Sequence, residues 1–169
     1  HALSYYRENG SALSEADETE RKKTLTDYAL PKNIAGLERD LSRYRINYDT
    51  WFRESTLHNN GAVSEIIEKL KESGYTYEQD GALWFRSSEL GDEKDRVLVR
   101  ANGIVTYFVP DIAYHYNKLV TRGFDKAIDI FGADHHGYIP RMKAALTALG
   151  VNADKLEIVI MQMVNLVRN

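Results

Sequence analysis

The stretch Phe131-Gly132-Ala133-Asp134-His135-His136-Gly137-Tyr138 constrains the chain most, because of what lies on either side of it. Ala127-Ile128-Asp129-Ile130 before it is short and mostly apolar, like a buried strand. Arg141 to Leu149 after it repeats apolar residues at helical spacing until Gly150 stops it. The stretch therefore reads as a strand-to-helix turn. In open α/β sheets ligands sit outside the carboxyl ends of the strands, where loops converge on a rigid frame. A carboxylate and two imidazoles bracketed by glycines are what such a turn would offer.

From Ser11 to about Arg45 the text is charged and mostly helical, with Ser14 as a cap-like start and Pro31 at a first turn ahead of Ile34, Leu37 and Leu41. Its basic residues, Arg21, Lys22, Lys23, Arg39, Arg43 and Arg45, could touch a polyanion, but a solvated face balanced by Glu15, Glu18, Glu20, Glu38 and Asp40 is the preferred reading. Tyr48–Phe52 reads as a strand delivering Glu54 at its end. Val63, Ile66, Ile67 and Leu70 predict an amphipathic helix closed by Gly74. Asp80-Gly81 and Asn102-Gly103 predict tight turns among short strands at 75–77, 82–85, 96–100 and 104–108. Thereafter elements alternate: a strand ending near Phe108, a helix from Pro110 to about Val120, a strand at 127–131, a helix at 138–149 and a strand at 156–161. Such βαβαβ order implies a parallel sheet, half of a doubly wound domain.

Length and composition bound the function. The 169 residues, 43% hydrophobic, suffice for one core, and the chain reads as a piece cut from something larger, since it opens on His1 without a methionine. A net charge of -3 argues against a nucleic-acid binder held mainly by a basic surface. With no cysteine there is no disulfide framework or thiolate metal site. No apolar run is long enough to span a bilayer and no leader pattern appears, so the expected setting is the cytoplasm, without membrane contact.

Tyr107 and Asp111 flank Pro110 at another strand-to-helix junction, expected on the same sheet edge as Asp134, His135 and His136. With Glu54 they would place three acidic groups and a phenol around one cleft, which suits a cation and, best, a planar guanidinium. The competing accounts are that Asp111 answers a helix dipole and that Glu54 decorates the surface. Asp134, His135 and His136 could ligate zinc and support a metal-dependent hydrolase, but consecutive loop residues rarely face one ion, and His58 and His115 are isolated in sequence. A nucleotide contact is better supported, because the turn opens a helix whose free N–H groups suit phosphate. There is neither a Gly-x-x-x-x-Gly-Lys loop nor a Gly-x-Gly-x-x-Gly fingerprint. Trp84, Phe85, Tyr114 and Tyr116 read as core, and Gln162 and Asn165 as loop residues that could reach the same edge.

The run Phe-Gly-Ala-Asp-His-His-Gly-Tyr-Ile-Pro-Arg-Met-Lys-Ala-Ala-Leu, with Tyr-Phe-Val-Pro-Asp-Ile-Ala-Tyr-His, Asp-Gly-Ala-Leu-Trp-Phe-Arg and Trp-Phe-Arg-Glu-Ser, closely resembles bacterial arginyl-tRNA synthetases over roughly Tyr48–Asn169. The resemblance implies a class I enzyme that condenses arginine with ATP, with Mg2+, and passes the arginyl group to tRNA(Arg). The fold it implies is α/β: the C-terminal half of a Rossmann-type parallel-sheet catalytic domain over 48–169, carrying a small antiparallel strand insertion at about 75–100 and preceded by a helical connecting segment over 1–47. It further implies that Glu54, Tyr107, Asp111 and His135 recognise the arginine side chain. Gly132, Asp134 and His136 would line the adenylate and ATP pocket, no tightly bound metal is expected, and the parent is expected to be a monomer. The family's His-x-Gly-His and Lys-Met-Ser-Lys signatures are absent from these residues, so the piece is expected to be inactive alone. An RNA-docking module built on the basic N-terminal helices is the remaining alternative.

Overall fold

The computed structural model describes residues 1–11, 13–165 and 167–168; Ala12, inside the predicted N-terminal helical stretch, and Leu166 and Asn169, inside the predicted catalytic-domain range, lie outside the described residues. The chain divides into two compact units, His1–Phe52 and Arg53–Asn169.

The first unit is a pair of helices, α1 (Ala2–Asn9) and α2 (Glu18–Arg43), joined by aromatic and polar contacts with no fully buried side chain. The Tyr5 and Tyr28 rings meet edge-on at 5.1 Å, the Tyr28 hydroxyl donates to Glu8 Oε1 at 2.6 Å, and Lys32 Nζ stands 3.5 Å over the Tyr28 ring. Asp17, rather than Ser14, caps α2: its carboxylate accepts from Glu20 N at 2.9 Å, while the Ser14 hydroxyl donates to the Ser11 carbonyl. Pro31 lies in the interior of α2 and not in a first turn. The Asp17 cap and the acidic first turn formed by Glu18 and Glu20 start the helix a full run earlier. The helix absorbs the hydrogen bond that the proline removes, a cost of about 3 kcal/mol. The expected strand at 48–52 is irregular chain, with Tyr48 and Trp51 packed edge to face at 5.3 Å and no ladder partner, so its aromatics satisfy one another locally instead.

The second unit opens with helices α3 (Ser55–Asn59) and α4 (Ala62–Glu72). The predicted stripe of α4 is real: Val63, Ile66 and Leu70 are buried, and Gly74 follows at φ 80, where a side chain would strain the backbone. Strands β1 (Thr76–Gln79), β2 (Ala82–Phe85) and β3 (Arg96–Val99) then form an antiparallel sheet in sequence order, turned at Asp80-Gly81 with both residues at positive φ.

The loop between β2 and β3 is held by a buried ion pair. Arg96 donates to both Asp92 oxygens, at 2.7 and 2.8 Å, Glu93 N donates to Oδ1 at 2.8 Å, and Ser87 Oγ lies 3.0 Å from Oδ2. Burial pushes the Asp92 carboxyl up, but these donors together outweigh it and hold the group below its ordinary range.

Residues 104–108 are not a strand. Val105 makes a single antiparallel bridge to Val99, Thr106 N bonds Leu98 O at 2.9 Å, and helix α5 (Phe108–Tyr116) begins at once. Pro110 permits that early start, because a proline in the first turn gives up an N–H that would be unbonded anyway. A π-helical turn, Asn117–Thr121, extends α5. Strand β4 (Ala127–Gly132), helix α6 (Tyr138–Ala148) and strand β5 (Leu156–Met161) follow, and β4 pairs in parallel with β5 from Ala127↔Leu156 to Gly132↔Met161. Among the described residues the parallel sheet therefore has two strands, not three.

Val109, Ile112 and Ala113 of α5 pack with Met142, Ala145 and Leu146 of α6 and with Phe85, Leu98 and Leu156 in one core. Among the described residues, no helix is long and apolar enough to cross a membrane.

The Asp92 side chain is fully buried and that of Arg96 is 15% exposed. Removing the cation leaves an unanswered charge in the interior, so Arg96→Ala is expected to cost ~3–5 kcal/mol of stability, read by urea unfolding. A change within ~0.5 kcal/mol would show that the pair is not what holds this loop.

Candidate functional site

Alternation along β4 turns Ala127, Asp129 and Phe131 to one face, and that face meets α5 and α6. Asp129 is therefore a carboxylate on the inward side of an otherwise apolar strand. It is answered twice: Lys118 Nζ donates to Oδ1 at 2.7 Å and His115 Nε2 lies 2.5 Å from Oδ2. The three side chains are only 10%, 15% and 4% exposed. Burial raises the Asp129 carboxyl, but His115 and Lys118 overcome it and hold the group below the usual carboxylate range.

Asp111 stands in the first turn of α5 and behaves differently. Its carboxyl makes no side-chain hydrogen bond among the described residues. Burial pushes it above its ordinary range, His115 opposes that rise, and the negative fields of Glu54 and Asp129 reinforce it. Tyr138, at the start of α6, belongs to the same neighbourhood: burial and the charges of Asp111 and Asp129 drive its phenol well up. Aromatic contacts extend the cluster toward the loop. The rings of His115 and Tyr138 are 6.3 Å apart, Phe131 meets Tyr138 edge-on at 5.1 Å, and Phe131 meets His135 at 5.1 Å.

Among the residues expected from sequence, Glu54 acts on Asp111 through its charge, Asp111 acts on Tyr138, and the Phe131 ring links Tyr138 to His135. Glu54 does not end a strand; it precedes α3, with Oε1 3.5 Å from His58 Nε2 and a side chain 62% exposed. Tyr107 is the residue before α5 and 84% exposed, so its phenol is open to solvent. Asp134 and His135 form a 3-10 turn after β4, both largely exposed and 3.7 Å apart, and His136 is exposed beside them. Gly132 makes room there: a Cβ on it would come within 2.9 Å of Asp134 Oδ1. Gln162 and Asn165 lie in exposed chain beyond β5. Among the described residues, no group of three or more His, Asp or Glu side chains could hold a metal ion, so Asp134, His135 and His136 do not form the centre a hydrolase would need.

Four members of the cluster, His115, Lys118, Asp129 and Tyr138, are not among the site residues that the sequence predicts. The signal lay in Asp129, a single charge in an apolar strand, which demands a buried partner.

Comparison with known proteins gives a consistent family. A family model described as tRNA synthetases class I (R), catalytic domain, matches residues 10–166. An arginine–tRNA ligase of Acetivibrio thermocellus is 54% identical over the whole chain, and that of Bacillus subtilis 48% identical over 96% of it. The chain spans about 30% of the length of these curated relatives. A solved structure from Campylobacter jejuni superposes with TM-score 0.86 at 41% identity, covering 96% of this chain and 35% of that one. The Plasmodium falciparum arginyl-tRNA synthetase, at 19% identity and TM-score 0.69 over 95% of this chain and 28% of that one, shares the fold.

A carboxyl raised in the folded state stabilises the fold below its unfolded value, and that contribution is lost as pH rises through the folded value. Asp111→Asn is therefore expected to raise Tm at pH ~7, where the parent bears an unanswered buried charge, by roughly 2–4 °C per kcal/mol relieved. The gap should shrink on acidification toward about pH 4, as Asp111 takes up its proton. Thermal melts of parent and variant across that range test this; a lower Tm for the variant at neutral pH would contradict it.

Proposed function

The chain belongs to the family of class I tRNA synthetase catalytic domains for arginine, and from that premise we propose that it carries the arginine-recognition part of an arginine–tRNA ligase, with L-arginine, ATP and tRNA(Arg) as the ligands of the whole enzyme. The observation that carries this reading is the state of Asp111: a half-buried carboxyl with no internal cation donating to it, raised by burial and by the charges of Glu54 and Asp129 against the opposing charges of His115 and Lys118. Such a group lacks a positively charged donor. Arginine supplies five N–H donors in a flat fork, which suits two carboxylates better than the point charge of lysine does.

In this reading Asp111 and Glu54 accept from the guanidinium, with Tyr107 and His135 bordering it. Burial of the site sharpens the choice, because a ligand lacking the fork leaves a desolvated carboxylate oxygen unpaired. Gly132, Asp134 and His136 line the adjoining adenylate and ATP pocket. Helix α6 starts at Tyr138 with no side chain capping it, but Ile139 N bonds the His136 carbonyl at 3.4 Å and Pro140 has no N–H, so the N–H groups expected to face phosphate are largely spent. Mg2+ arrives with the triphosphate. The arginine carboxylate attacks the α-phosphorus, forming arginyl-adenylate and releasing pyrophosphate, and the protein's part is to align the two substrates. The arginyl group then passes to tRNA(Arg), with residues 1–47 as a helical connecting segment.

In a full-length arginine–tRNA ligase carrying this segment, Asp111→Asn is expected to raise the KM for arginine by ~10–100-fold, the loss of one charge-assisted hydrogen bond of about 1.5–3 kcal/mol, while the KM for ATP holds. Glu54→Gln should act in the same direction but less, since its side chain is largely solvated. Pyrophosphate-exchange kinetics read both constants. An arginine KM unchanged in Asp111→Asn would remove that carboxylate from the site.

A further inference from the structure

His115 joins the two elements on which the proposed arginine site stands. Its Nδ1 lies 2.7 Å from the backbone carbonyl oxygen of Asp111, on its own helix one turn back, and its Nε2 lies 2.5 Å from Asp129 Oδ2 on β4. A carbonyl oxygen only accepts, so Nδ1 donates. Asp129 stays a carboxylate because Lys118 donates to its other oxygen at 2.7 Å, so Oδ2 also accepts and Nε2 donates as well. Both ring nitrogens carrying protons makes the side chain an imidazolium, in a position only 4% exposed.

The groups that face it carry both signs of charge. On its own helix these are Asp111 and the ring of Tyr114, 6.3 Å away; on the π-helical turn, Lys118; on β4, Asp129; and on α6, the ring of Tyr138 at 6.3 Å. Glu54 acts on the same neighbourhood through its field on Asp111.

From this geometry we infer that His115, held as an imidazolium between the Asp111 carbonyl and the Asp129 carboxylate, is a positioning residue for arginine: it locks the first turn of α5 to β4 and so fixes where the Asp111 carboxylate points. The inference rests on the reading of Asp111 as a guanidinium acceptor. No neutral side chain of similar size donates from both ends. Glutamine offers a donor and an acceptor, and its acceptor would face either the Asp111 carbonyl or the Asp129 carboxylate.

Two measurements on a full-length ligase carrying this segment test it. In enzyme labelled with 15N-histidine, the ring signal absent from His115→Gln identifies His115, and both of its nitrogens are expected to be protonated at neutral pH, with one proton lost in Asp129→Asn. A single protonated nitrogen on His115 in the parent overturns the inference. In exchange kinetics, His115→Gln is expected to raise the arginine KM at least ~10-fold while the ATP KM and kcat change less than about twofold. An unchanged arginine KM, or a loss shared equally by both substrates, overturns it by making the role structural only. Asp111→Asn separates the two levels. If that variant binds arginine normally, the reading of the site fails; if it loses arginine while His115→Gln does not, only the role of His115 fails.

Discussion

Asp129 stands on the inward face of a strand whose neighbours are alanine, isoleucine and phenylalanine, and a carboxylate there persists only because Lys118 and His115 answer both of its oxygens. That requirement ties three elements together. The strand must present Asp129 at the right register, α5 must be long enough to bring His115 onto it, and the π-helical turn must continue far enough to swing Lys118 to the other oxygen. Once α5 is fixed to β4 in this way, its first turn is fixed too, and with it Asp111.

The molecule holds two more acidic groups whose contrast separates structure from function. Asp92 is fully buried, chelated by Arg96 and supported by Glu93 N, and it is held below the carboxylate range. Asp111 is half-buried with no such donor and is pushed above it. A satisfied internal charge fixes a loop. An unsatisfied one is a cost the fold retains, and in the proposed reading an external cation relieves it.

Elements that carry their own period were legible in the sequence. The stripe of α4, the Asp80-Gly81 hairpin, strands β4 and β5 and helix α6 follow from spacing and turn chemistry alone. The errors share a cause. Tyr48–Phe52 and Ile104–Phe108 have strand-like composition, but a strand exists only where another ladder accepts it, and neither stretch has more than a single bridge. Pro31 misled in the opposite direction, because a strong cap and a charged first turn carry α2 through it. At the site, Asp111 and the 132–138 turn were visible as residues at strand-to-helix junctions. His115 and Lys118 were not, since their importance lies in reaching Asp129 across the interface, and a one-dimensional reading has no term for that contact.

The charges of the cluster set the kind of ligand it can take. Asp111, Glu54 and Asp129 are negative; Lys118 and the imidazolium inferred for His115 are positive, and both are committed to Asp129. Neither the Asp111 nor the Glu54 carboxylate takes a hydrogen bond from Lys118 or His115, and Arg141 adds a further cation near Tyr138. In the proposed reading a cation is the ligand that Asp111 and Glu54 favour, since an anion would meet two carboxylates. Among single cations, an ammonium brings its charge as a point and leaves one carboxylate oxygen bare, while a guanidinium spreads the same charge over a plane with donors on two edges. The internal cations thus do more than hold Asp129: by answering both of its oxygens they leave Asp111 and Glu54 as the acceptors that the proposed arginine meets.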